Sequence, residues 1–377
     1  MKITIIGPSY PYRGGIALFS NRLTESLIKD GNEVNMITFK LQYPGFLFPG
    51  KTQYSSDKNG SELKITRAIN SVNPFNWIKV GRQVKKDKPD LVIFKYWIPF
   101  MAPCFGTIAK IIRKNKSTKI LALVHNLLPH DRHFGDNQLS NYFLKNIDGF
   151  VAMSKSVLDD LNKFDDTKPK LFSPHPLYDN FGMAKSREEA LKALGLDTSF
   201  KYMLFFGIIR KYKGLDLLLK AFADKRLNNG SIKLIIAGEF YEDNTLYMNL
   251  IEKYSLQDSI VMSTKFIPDN EVVNYFCGAD IIVQPYKHAT QSGVAQIAYH
   301  FEKPMLVTDV GGLKEIIPHN KVGYVIQPDE NEIVKALVDF FQNNRAAEFI
   351  KGVKEEKSKY SWQKMVETIY SLNKKVQ

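Results

Sequence analysis

The sequence is poor in the residues that build disulfide frameworks and zinc sites. Only Cys104 and Cys277 occur in 377 residues, one in each half and outside any C-x-x-C spacing, so neither feature is expected and a reducing compartment fits. Long apolar runs are lacking too. The most apolar stretch, 96–109, is interrupted by Pro99 and Pro103 and falls short of the ~20 residues that a membrane-spanning helix needs. Met1-Lys2 leads straight into Ile3-Thr4-Ile5-Ile6, with no charged segment followed by an apolar one, so a secretory leader is not expected. No D-x-D triplet and no zinc-type array is present, and neither a metal nor another cofactor is expected. Signatures of nucleic-acid recognition modules are missing as well, so a nucleic-acid partner is not expected.

What is there is an ordinary globular composition, 44% hydrophobic and 24% charged, at a length that suits two domains. The net charge of +13 is lopsided: residues 1–184 hold 26 Lys and Arg against 15 Asp and Glu, the remainder 26 against 24. A basic first half suits anionic lipid headgroups or a diphosphate-linked acceptor, with plain solubility and nucleic acid as the competing explanations. A cytoplasmic location, peripheral at the inner face of the membrane, follows as an expectation.

Short β-branched runs alternate with amphipathic segments from the start: Ile3–Ile6, a helix over Gly15–Lys29, then Val34–Phe39, Leu91–Phe94, Lys119–Val124 and Gly149–Ala152. Such alternation predicts a parallel sheet covered by helices on both faces. A second series runs through Tyr202–Phe206, Lys233–Ala237, Ser259–Met262, Ile281–Val283 and Met305–Val307. The prediction is an α/β protein with two Rossmann-like, doubly wound domains facing across a cleft. One covers 1–180 and the other 200–357, with a linker over 181–199 and a terminal region 358–377 whose helix packs across the domain junction. In open α/β sheets ligands bind beyond the carboxyl ends of the strands, so function is sought in the loops there.

Gly45 to Thr52 matches G-x-x-x-x-G-K-[ST], but Pro49 lacks an amide, Phe46 to Phe48 are bulky and no helix pattern follows, so a phosphate loop is not expected. Tyr43 to Phe48 reads as an apolar loop that either touches lipid or buries against its own domain. After the first strand, Arg13-Gly14-Gly15-Ile16 opens a helix, where amides and the helix dipole suit a diphosphate or a sugar hydroxyl. His125-Asn126 ends the strand Lys119–Val124, with His130, Asp131, Arg132 and His133 close behind. In the second half, Gly207 to Gly214 carries Arg210 and Lys213 at a strand end, where cations can hold phosphate oxygens and neutralise a departing diphosphate. Gln291-Ser292-Gly293-Val294 precedes a helix expected over Ala295–Phe301 and offers a further set of helix-start amides.

Together these segments resemble the GT4 family of retaining glycosyltransferases, of GT-B fold, over nearly the whole chain. The match is strongest from Phe206-Gly207 through Tyr212-Lys213-Gly214, with Leu217, Leu218, Ala221 and Ala237-Gly238-Glu239 following. Lys303-Pro304, Val307 to Gly312 and Glu315 resemble the family's closing block, and Gly14-Gly15-Ile16 and His125-Asn126 resemble its glycine loop and active-site histidine region. The resemblance implies a nucleotide-sugar donor and a glycan or lipid-linked acceptor, with the acceptor on the first domain. Arg210 and Lys213 would hold the donor diphosphate, His125 would contact the donor sugar, and the Phe266-Ile267 backbone would flank the base. Asn126, Gly207, Glu239, Gln291, Ser292, Gly293 and Val294 complete the expected donor site. It further implies metal-independent transfer with retention, the donor phosphate assisting acceptor deprotonation. One departure stands out: the E-x7-E pair of many members falls on Ala289 and Ile297, which leaves the donor open and Gln291 or Gln296 as replacement hydrogen-bond partners. A nucleotide-sugar epimerase of the same fold and a non-catalytic glycan-binding or scaffold subunit are the alternatives.

Overall fold

The computed structural model describes residues 1–45, 52–54, 63–127, 134–289 and 292–376. The chain divides into two units, Met1–Pro176 with Ser361–Gln377, and Leu177–Tyr360.

Among the described residues the first unit has seven strands: β1 (Lys2–Ile6), β2 (Glu33–Leu41), β3 (Ile65–Asn70), β4 (Leu91–Tyr96), β5 (Lys119–Val124), β6 (Gly149–Ala152) and β7 (Lys170–Phe172). They form one sheet in the order β3-β2-β1-β4-β5-β6-β7, with every pairing parallel. Central strands of such a sheet are covered on both faces and are therefore buried and mostly apolar. All six residues of β4 are accordingly buried. The helix Gly15–Lys29 falls where its pattern predicts it, and Phe19, Leu23 and Leu27 form its buried stripe.

The terminal helix Trp362–Lys375 is N-capped by Ser361, which accepts from the Lys364 amide at 3.3 Å, and buries Trp362, Met365, Val366, Ile369 and Leu372. It belongs to the first unit. Gly149 permits its approach, since a Cβ there would lie 3.0 Å from Leu372 Cδ1.

The second unit carries β8 (Lys201–Phe206), β9 (Ile232–Ala237), β10 (Ile260–Ser263), β11 (Ile281–Gln284), β12 (Met305–Thr308) and β13 (Gly323–Ile326). Their order is β10-β9-β8-β11-β12-β13, again parallel throughout. The expected linker 181–199 is corrected here: it is part of this unit and contains the helix Arg187–Ala193. Ser186 and Glu189 close a capping box at its start, and Ala190 and Leu191 are buried. Leu191 meets Gly278, where a Cβ would lie 3.0 Å from its Cδ2. Two apolar positions hidden among charged ones suffice to dock a two-turn helix, too weak a pattern to stand out in sequence. The boundary therefore moves from 180 to 176, and the second unit ends at Tyr360 rather than at 357.

Candidate functional site

Each sheet has one topological switch point, between β1 and β4 in the first unit and between β8 and β11 in the second. There the flanking connections leave in opposite directions and a crevice opens beyond the strand ends. Gly14, Gly15 and Ile16 follow β1 and Gly207, Arg210 and Lys213 follow β8, at these points, whereas His125 and Asn126 follow β5, one strand beyond β4.

In the second unit, β8 is followed by Gly207, and the chain turns through Arg210 to Gly214 into the helix Leu215–Phe222. Gly214 has φ +70°, and a Cβ on it would lie 1.9 Å from the Pro285 carbonyl oxygen, so only glycine allows this turn to press on the segment after β11. The Lys287 amide donates to the Tyr212 carbonyl at 2.6 Å, and Lys287 Nζ pairs with Asp216 at 2.8 Å. The turn thus places Lys213 Nζ 3.2 Å from where a Gly207 Cβ would stand, with Val294 Cγ2 3.6 Å from the same point. Glycine 207, Lys213 and the start of the next helix share one spot.

That helix, Gly293–His300, begins two residues earlier than expected because Ser292 is its N-cap, accepting from the Ala295 amide at 3.3 Å. The amides of Gly293 and Val294 lie in its first turn, which lacks intrahelical acceptors. Ser292 in turn donates to Gln284 Oε1, and Tyr286 stands within hydrogen-bonding reach of Ser292 and 5.2 Å beneath Lys213 Nζ, measured from its ring centroid. Gln284 and Tyr286 escaped the sequence reading, although both lie at the end of an apolar run.

Lys213 is buried, and burial, helped by the Arg210 charge, pulls its amine down to about 8. Arg210 lies with its guanidinium carbon 5.3 Å over the Tyr241 ring and remains partly exposed. Glu239 is buried, and its carbonyl accepts from the Ile209 amide at 2.8 Å, bracing the same turn. Phe266 and Ile267 follow β10, which the sheet places two strands from β8. Ala289 and Ile297 are buried apolar side chains. Gln291 lies outside the described residues, and Gln296 is fully buried.

In the first unit, Gly14 (φ +101°) and Gly15 are exposed at the start of the helix Gly15–Lys29, with Ile16 half-buried. His125 closes β5, its amide donating to the Tyr96 carbonyl at 2.9 Å, and Asn126 follows half-buried. The imidazole is buried against Phe19, ring centroids 5.2 Å apart, and burial with the Lys95 charge holds its proton affinity well below the usual histidine range. His175 joins it, 5.9 Å away between centroids, its Nδ1–H donating to the Pro176 carbonyl at 2.7 Å. Burial pushes His175 down to about 3. Sequence gave little warning of His175, because the three-residue β7 before it is too short to read as a strand.

Tyr43 is held inside its own unit, stacked on Phe100 at 5.7 Å and accepting from Trp97 Nε1 at 2.9 Å. Residues 46–51, which carry most of the apolar loop and the phosphate-loop look-alike, and His130, Asp131, Arg132 and His133 lie outside the described residues. Among the described residues no cluster of three or more His, Cys, Asp or Glu could hold a metal ion, and no helix is long and apolar enough to cross a membrane.

Residues 186–356 match the family model described as glycosyl transferases group 1. An uncharacterised glycosyltransferase of Methanocaldococcus jannaschii is 24% identical over 96% of this chain and 95% of its own length. Sucrose-phosphate synthase from Thermosynechococcus elongatus superposes with a TM-score of 0.76 at 16% identity, over 99% of this chain and 98% of that one. Anabaena HepE in complex with UDP gives 0.75 at 14% identity, over 98% of this chain and 100% of that one. The two-sheet architecture and the family resemblance expected from the motifs are borne out.

Proposed function

For a glycosyltransferase of the GT-B type whose residues 186–356 fall in glycosyl transferases group 1, we propose that the chain moves a sugar from a nucleotide-sugar donor to a glycan or lipid-linked acceptor. The transfer proceeds with retention and without a bound metal. The observation that carries the donor side is the meeting of Lys213 Nζ with Gly207 and the start of the helix Gly293–His300 at the switch point of the second sheet.

Negative charge develops on the leaving diphosphate as the glycosidic bond breaks. Lys213, Arg210 and the amides of Gly293 and Val294 supply positive charge and donors from a fixed frame, which is how a preorganised site stabilises a transition state. An amine near pH 8 is mostly protonated at neutral pH, and an arriving diphosphate raises its proton affinity further. His125 is assigned to the donor sugar, as its family resemblance implies. The donor phosphate assists removal of the acceptor proton, so no carboxylate pair is required. UDP in the related Anabaena structure makes UDP-sugars the first donors to try.

The acceptor proposal draws on the charge of the first unit. Phe75, Ile78, Lys79, Arg82, Gln83 and Lys86 line one shallow groove along the helix Pro74–Asp87, with Phe75 84% exposed. Apolar tips among cations on one helix face suit an anionic lipid surface, consistent with surface-glycan or glycolipid synthesis.

The test is nucleotide release from UDP-, GDP-, ADP- and TDP-sugars with a cell-derived acceptor extract, with and without EDTA. Release that needs acceptor, survives EDTA and collapses in Arg210→Ala supports the proposal. Conversion of the nucleotide-sugar itself without acceptor would mark an epimerase, and wild-type turnover in Arg210→Ala would remove the phosphate assignment.

A further inference from the structure

The second unit holds a polar side chain that neither the sequence motifs nor the phosphate chemistry accounts for. The strand β11 reads Ile281-Ile282-Val283-Gln284, and all four residues are buried. A glutamine therefore closes an apolar strand at its carboxyl end, on one side of the switch point, where open α/β sheets bind ligands. The register pairs Ile281 with Met203 and Ile282 with Leu204. Carried to the end of the strand, it sets Gln284 beside Phe206, the residue before Gly207. Lys213 Nζ and Val294 Cγ2 lie 3.2 and 3.6 Å from where a Gly207 Cβ would stand, so Gln284 borders the spot assigned to the diphosphate.

A hydrogen bond orients this side chain. Ser292 Oγ accepts from the Ala295 amide at 3.3 Å and gives its one proton to Gln284 Oε1. With its oxygen held by the N-cap of the helix Gly293–His300, the Gln284 amide turns its nitrogen away from that bond. Nε2 carries two N–H donors, is buried, and has no hydrogen-bond partner among the described residues. Gln296, one turn into the helix, is also unpaired at both amide atoms among the described residues, but no hydrogen bond orients it. Burying an amide nitrogen without an acceptor is unfavourable, and folded proteins seldom leave one so. An apolar residue would have continued the strand without that cost.

We propose that Gln284 is a further donor-binding residue: its Nε2 donates to an oxygen of the nucleotide diphosphate. Ser292 then has two tasks, capping the helix that offers the amides of Gly293 and Val294 and fixing the rotation of the Gln284 amide. A donor fixed in this way needs no rearrangement as charge develops on the leaving diphosphate. It also adds no charge beside Lys213, whose proton affinity the Arg210 charge already lowers. The inference rests on the proposed binding of the donor diphosphate at this switch point.

The test is NMR of isotope-labelled glutamine side chains in the full chain, titrated with UDP, GDP, ADP and TDP. The Nε2–H signals of Gln284, assigned through bonds to its own backbone, are expected to move downfield at saturation, a measurement that needs no variant to fold. Gln284→Glu keeps an acceptor for Ser292 and replaces both N–H donors by an oxygen, so nucleotide affinity should fall by roughly tenfold or more. A role confined to holding Ser292 predicts wild-type affinity in that variant, and such a result overturns the inference. Nucleotide binding that is lost in Arg210→Ala yet leaves the Gln284 signals unmoved overturns it too, while the diphosphate site stands. Binding of none of the four nucleotides would remove the diphosphate site and this inference with it.

Discussion

Lys213→Met removes a charge from a place where the fold gains nothing by holding one. Lys213 is 7% exposed, and its amine faces the Tyr286 ring at 5.2 Å and has Arg210 as its charged neighbour. Its proton affinity is reduced to about 8, against ~10.4 in an unfolded chain. The folded state therefore binds fewer protons than the unfolded state. Stability from this group is complete above the unfolded value and lost as pH falls through the folded one, which amounts to about 3 kcal/mol at pH 7. Methionine fills the same unbranched space without a charge. The variant is expected to be more stable than the wild type by up to about 3 kcal/mol at pH 7, and by less than about 1 kcal/mol at pH 10. Turnover should move the other way, falling roughly 100- to 1000-fold, as when one preorganised transition-state contact is lost. Urea unfolding at the two pH values gives the first quantity and nucleotide release the second. A variant that is less stable at pH 7, or that turns over at the wild-type rate, would refute the reasoning.

Gly214→Ala should destabilise the second unit by several kcal/mol and weaken donor binding, since the new Cβ meets the Pro285 carbonyl oxygen at 1.9 Å. Gly31→Ala, with φ +81° but nothing within 4 Å, should cost only the ~1–2 kcal/mol of a left-handed backbone; calorimetric melting compares the two. His175 should make the first unit acid-sensitive. Its folded value of about 3 lies below the ordinary ~6.5, so stability present above the latter is lost as pH falls, by about 2 kcal/mol at pH 5. Urea unfolding at pH 7 and pH 5 should show a loss smaller by about that amount in His175→Gln than in the wild type, the remainder belonging to buried His125. Sedimentation with anionic vesicles should retain the wild type, release it as salt rises, and retain less of Phe75→Ser or Arg82→Ser; equal sedimentation with neutral lipid would contradict the membrane proposal.

The central strands were legible because burial on both faces leaves them few polar positions. Ile3 to Ile6, Lys119 to Val124 and Ile281 to Val283 stand out as apolar runs, and the structure places each in the middle of a sheet. Three edge strands were not legible. Ile65–Asn70 and Lys170–Phe172 are half-exposed, and Gly323–Ile326 is four residues led by a glycine. An edge strand has one sheet neighbour and less area to bury, so its sequence is less constrained.

Local sequence thus determined the strand-turn-helix units and the positions of Arg210, Lys213 and Gly14-Gly15 at strand ends, because glycine at a tight turn and charge after an apolar run are read over a few residues. Strand order needed the tertiary structure, since only the pairing of β1 with β4 and β8 with β11 puts those turns at switch points. So did the box around Phe19, which joins residues 19, 95, 125, 175 and 362. Lys95 reads locally as the polar end of a strand. It becomes a buried base because distant segments exclude water from it, and solvent exclusion belongs to the assembled fold.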